Sequence, residues 1–90
     1  MGKLLKKKQG IVKTITFNMR YCGYTHIIAA YILRKEMAGQ IKILSQTLHD
    51  RIDFITRCRI KIRIDSEQQY KQFVSDFISA AGNKIEKIKW

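Results

Sequence analysis

The chain has 90 residues, room for one domain with one modest core, and its 46% hydrophobic and 28% charged content belongs to a globular rather than a disordered chain. Eighteen Lys and Arg against seven Asp and Glu leave a formal charge of +11, a field that serves solubility and also attracts nucleic acid, anionic lipid or acidic partners. Two cysteines are too few for a disulfide framework, and the longest apolar run, residues 27–33, is far short of the ~20 residues that span a bilayer.

Residues 1–10 read as a basic tail or linker, with Lys3, Lys6, Lys7 and Lys8 around Leu4 and Leu5. This segment lacks the apolar stretch of a signal peptide, and Lys6 stands where a myristoylation signal needs Ser or Thr. Residues 11–90 are expected to form one α+β domain. Over 11–20, Ile15, Phe17 and Met19 alternate with Thr14, Thr16, Asn18 and Arg20, the period of a first strand. Gly23 breaks that pattern, and Tyr24, Ile27, Ile28, Tyr31 and Ile32 recur at helical spacing until Gly39 supplies a stop.

β-Branched Ile41, Ile43 and Thr47 predict a second strand over 40–48, with the polar His49-Asp50-Arg51 as a hairpin turn. Residues 57–65 alternate cleanly: Cys58, Ile60, Ile62 and Ile64 on one face, Arg57, Arg59, Lys61, Arg63 and Asp65 on the other. Ser66 followed by Glu67-Gln68-Gln69 is a capping box, and Tyr70, Phe73, Val74, Phe77, Ile78 and Ala81 keep helical spacing up to Gly82-Asn83. Residues 85–90 predict a closing edge strand. The order strand, helix, strand, strand, helix, strand predicts a ferredoxin-like βαββαβ sandwich, a four-stranded antiparallel sheet with both helices on one face.

Catalytic chemistry has no visible carrier. His26 and His49 lie in no cluster of carboxylates, cysteines or serines at catalytic spacing, Cys22 and Cys58 read as buried structural thiols, and no metal site or cofactor is implied. Tyr70, Phe73 and Phe77, with Tyr24 and Tyr31, read as core, while Trp90 suits either a core cap or a partner contact.

Two surface features remain. A strand projects alternate residues to one side, so Arg57, Arg59, Lys61 and Arg63 form a single cationic stripe that can follow a phosphate backbone. The same stripe also suits a solvated sheet face protected against aggregation. The outward residues of strand one, Thr14, Thr16 and Asn18, offer no stacking aromatics, which argues against sequence-specific RNA reading. The second feature is the turn Tyr21-Cys22-Gly23-Tyr24, where a glycine between strand and helix lets a ligand approach the free amides of a helix start.

With Gly23 in the first turn, Ile32-Leu33 late in the first helix, Ile41-Lys42-Ile43-Leu44-Ser45-Gln46 as strand two, Ile60 to Ile64 as strand three and Lys84-Ile85-Glu86-Lys87-Ile88 at the close, residues 15–90 resemble an ACT-type regulatory domain. The Ile-x-x-Ile-x-Trp ending after a basic opening is also similar to the soluble C-terminal domain of MgtC/SapB-type membrane proteins, which lies on the cytoplasmic side. The resemblance implies a non-enzymatic, cytoplasmic sensing or interaction module, a homodimer or partner of a neighbouring domain, with a small ligand held by Tyr21, Cys22, Gly23, Tyr24 and Gln46. That family's usual acidic residue and proline before the turn glycine are here Tyr21 and Cys22. The alternatives are a nucleic-acid-binding protein acting through Arg57, Arg59, Lys61 and Arg63, and a phage or mobile-element inhibitor of a host protein.

Overall fold

A computed structural model describes residues 10–20, 22–52 and 55–90, and the side chains of Cys22 and of residues 49–52 lie outside that description. The expected basic tail falls outside it too, apart from Gly10. That glycine sits hard against the end of the third strand: a Cβ placed on it would stand 2.6 Å from the Ile64 carbonyl oxygen, and its φ is +23°.

The elements are β1 (Ile11–Met19), a 3-10 turn (Cys22–Tyr24), α1 (Thr25–Met37), β2 (Lys42–Ile52), β3 (Ile55–Ile64), α2 (Glu67–Ala81), a second 3-10 turn (Gly82–Lys84) and β4 (Ile85–Lys89). The strands form one antiparallel sheet in the order β2-β3-β1-β4, so the two central strands are β3 and β1. One expectation is corrected. His49-Asp50-Arg51 is not the hairpin turn: β2 runs through it to Ile52, β3 starts at Ile55, and the connection falls at 53–54, outside the described residues. A register shift between Thr47 and Asp50 interrupts the alternation there, removing the period-two signal just where the strand continues.

The β1–β3 register aligns Ile15 with Ile60, Phe17 with Cys58 and Met19 with Thr56, all buried, and thereby makes one apolar face from two alternating sequences. Ile28 and Ile32 of α1 and Tyr70, Phe73, Val74, Phe77 and Ala81 of α2 complete the same core cluster. Phe77 is its centre, with ring centroids 5.3 Å from Phe17 and 5.9 Å from Tyr31, close enough for aromatic pairing beyond simple burial.

Helix ends are held by specific groups. Ser66 Oγ accepts the Gln69 amide at 3.2 Å, the hydroxyl half of the capping box, and fixes the start of α2. The Thr25 hydroxyl donates to the Leu48 carbonyl at 3.4 Å, tying the start of α1 to β2, and the Ile43 amide donates to the Glu36 carboxylate at 2.9 Å, tying its end to the same strand. Trp90 docks edge-on to Tyr70, whose hydroxyl donates to the Trp90 carbonyl at 3.2 Å, while Trp90 itself stays 54% exposed. None of the described helices is long and apolar enough to cross a membrane.

Candidate functional site

Because β3 is buried at every even position, its odd positions all emerge on the opposite face: Arg57, Arg59, Lys61 and Arg63 are exposed in one row. At ~3.3 Å rise per residue the row runs about 20 Å along the middle of the sheet. The cross-strand register sets its neighbours. On β1 these are Asn18, Thr16, Thr14 and Val12, short side chains that leave the cations standing above them. On β2, Lys42 lies directly opposite Arg63, and Ser45 and Thr47 face Lys61 and Arg59. Asp50 is the β2 register partner of Arg57.

β4 adds cations from the other side of β1. Its register shifts between the partners of Thr16 and Asn18, and Lys87 carries a φ of +53°, an uncommon conformation for a residue with a Cβ. The bulge has a clear consequence. Ile85 and Ile88, three residues apart, both pack on the core, while Glu86 pairs with Asn18 and Lys89 with Thr16 on the charged face. An unbroken period of two would send Ile88 out and Lys89 in.

Together these side chains surround a depression of about 680 Å³ lined by Arg57 and Arg59 on one side, Lys87 and Lys89 on the other, and Thr16 and Asn18 between them. Among the described residues no carboxylate pairs with its cations; the side chain of Asp50, the register partner of Arg57, lies outside that description. The ion pairs between described residues are Lys13 with Glu67 at 2.6 Å and Arg20 with Glu86 at 3.4 Å, so none reaches a cation of the depression or of the β3 row. Lys13 belongs to the other face, opposite Ile62, where it also lies over the Tyr70 ring.

The other expected site is less concentrated. Gly23 is exposed and Tyr24 half-buried in the 3-10 turn before α1, with Lys84 over the Tyr24 ring; Tyr21 and the side chain of Cys22 lie outside the described residues. Gln46 is exposed on β2, aligned with Ile60. The depression described above and two further cavities, of about 420 and 110 Å³, are lined by other residues. Comparison with family models, curated proteins and solved structures found no match.

Among nucleophilic and titratable groups, Cys58 is buried under the sheet and burial pushes its thiol up to about 11, the direction that makes it inert. Burial, and then the nearby Glu67 charge, likewise push the Tyr70 hydroxyl up to about 12. No three His, Cys, Asp or Glu side chains among the described residues gather as metal ligands. What the cationic face can do chemically is attract and hydrogen-bond anions: arginine forks bind phosphate oxygens in pairs, lysines act as point charges, and the Thr and Asn side chains add neutral donors. The β3 row was legible from alternation alone. Lys42, Lys87 and Lys89 were not, because their place depends on strand order and on a bulge.

Proposed function

We propose that the protein is a non-enzymatic nucleic-acid-binding module that holds a sugar-phosphate backbone along the β3 face of its sheet. The observation that carries this reading is the position of the stripe: Arg57, Arg59, Lys61 and Arg63 lie on a central strand, where they guard no exposed edge. Charge placed only against edge-to-edge aggregation belongs on β2 and β4. Placing like charges side by side costs stability, and Arg63 directly opposite Lys42 costs more of it, so the arrangement makes sense when a polyanion neutralises it. With Thr and Asn beside the row on β1 and no aromatic ring among its described cross-strand partners, the reading is of phosphate and sugar rather than of bases.

The test is fluorescence anisotropy with a labelled single-stranded oligonucleotide in rising salt. Affinity that falls steeply and linearly on logarithmic axes supports the reading; binding indifferent to salt, or none at low salt, rejects it.

The strand order β2-β3-β1-β4 and a single core drawn from both helices support the ferredoxin-like arrangement with both helices on the apolar side of the sheet. A second reading, the ACT-like interaction module, has one observation in its favour. Ile27, Leu33 and Met37 of α1 are 49%, 48% and 77% exposed, an apolar helix surface suited to a second copy of the chain. Sedimentation across a range of concentrations decides it: a dimer broken by Leu33→Lys supports self-association through α1, and a monomer at all concentrations rejects it.

A further inference from the structure

The stripe and the depression do different things. A strand of nucleic acid lying along β3 presents one negative charge per interior phosphate, and a single row of cations spaced two residues apart is enough to follow it. At one end the arrangement changes. Arg57 and Arg59 from β3 face Lys87 and Lys89 from β4 across β1, two rows separated by two strand spacings, roughly 10 Å. Lys61 and Arg63 have no such counterpart, because β4 pairs with β1 only over Thr16–Met19.

Four cations lining one depression exceed what an interior diester needs. They match a group that concentrates charge: a terminal phosphate carries about −1.5 to −2 at neutral pH and offers three acceptor oxygens. The donors are mixed in the way such a group requires, with two guanidinium forks, two ammonium groups, the Thr16 hydroxyl and the Asn18 amide. The backbone is shaped for it as well. Lys87 holds a left-handed φ of +53°, where glycine is the residue of least strain, and at the bulge it occupies it is exposed and lines the depression.

The geometry points to a terminal-phosphate subsite at Arg57, Arg59, Lys87 and Lys89, filled by the phosphorylated end of a nucleic-acid strand or by a free oligophosphate. It deepens the backbone-binding reading and shares with it only the premise that this face takes anions.

The test compares two 12-nucleotide single strands, one with phosphate at both ends and one with hydroxyls at both, and inorganic tripolyphosphate by calorimetry. The proteins are wild type, Lys87→Gly/Lys89→Gln and Lys61→Gln/Arg63→Gln. Wild type is expected to prefer the phosphorylated strand about tenfold, the effect of one added charge-assisted hydrogen bond. Lys87→Gly/Lys89→Gln abolishes that preference and tripolyphosphate binding, whereas Lys61→Gln/Arg63→Gln weakens both strands alike and keeps the preference. Equal affinity for the two strands overturns the subsite and leaves the backbone reading standing. If neither strand binds, the backbone reading falls, and tripolyphosphate decides the subsite: binding lost in Lys87→Gly/Lys89→Gln sustains it, and no binding overturns it. Glycine accepts the left-handed φ, so a lost signal with unchanged circular dichroism reports charge rather than unfolding.

Discussion

Replacing Arg59, Lys61 and Arg63 together by Gln removes three charges from the centre of the face while keeping polar side chains of similar reach. Including Lys42, Arg57, Lys87 and Lys89, the described residues place seven cations on the face for one bound strand. Each contact to a single strand contributes about −0.7 to the slope of log affinity on log salt, so full engagement gives a slope of about −5 and the triple variant about −3. Raising salt from about 50 to 200 mM then weakens wild type roughly a thousandfold and the variant only about fiftyfold. Stability should move the other way. Successive cations of the row stand about 7 Å apart and repel by about 0.6 kcal/mol per pair in water before screening, so the variant melts at the same temperature or a few degrees higher. Anisotropy titrations at five salt concentrations, with a melting curve for each protein, measure both quantities. An unchanged slope refutes the stripe as the contact surface, and a lower slope accompanied by a lower melting temperature shows that the change acted through the fold instead.

Phe77→Ala empties the junction of Phe17, Tyr31 and Phe73 and should cost about 3–5 kcal/mol, a large part of the stability of a domain this size; urea unfolding measures it. Ser66→Ala removes the acceptor of the Gln69 amide and should cost about 1 kcal/mol, seen as a fall of roughly 4–8 °C in melting temperature with oligonucleotide binding intact. The Cys58 thiol, raised from 9.0 to about 11 by burial, keeps its proton more tightly folded than unfolded. Its contribution is therefore complete below pH 9 and lost as pH climbs towards 11, so the urea midpoint should fall across that window and fall less in Cys58→Val.

The elements most legible in the sequence are those whose period is unbroken. β3 alternates through its whole length between the core and the cations, and α2 repeats its apolar residues at helical spacing behind a capping serine, so both follow from pattern. Legibility fails at irregularities. β2 reads as ending before His49 because a register shift hides the continuation, and polar residues near the tip of an edge hairpin look the same as a turn. In α1, Ile27 belongs to the apolar run yet stands exposed, while Ile28 and Ile32 are buried; a helix with apolar residues around much of its circumference does not declare which side meets the sheet.

The same limit explains why half of the candidate site was hidden. Pattern identifies a row on one strand, but a site made by two strands depends on which strand lies across from which, and β4 sits beside β1 only after a long connection. Its sequence, Ile-Glu-Lys-Ile-Lys, spaces the isoleucines by three, the spacing of a helix face and not the period of two of a regular strand. Only a bulge reconciles both isoleucines with the core, and the residue left over is Lys87, held at a positive φ. Glycine or asparagine would occupy that position with less strain. A lysine there trades local backbone stability for a charge beside Lys89, Arg57 and Arg59. That cost is unexplained by solubility, since a lysine anywhere on the exposed helices would serve as well. On the proposed reading an anion that meets the sheet at this end offsets that cost, and the bulge would then serve binding in a way periodicity alone could not reveal.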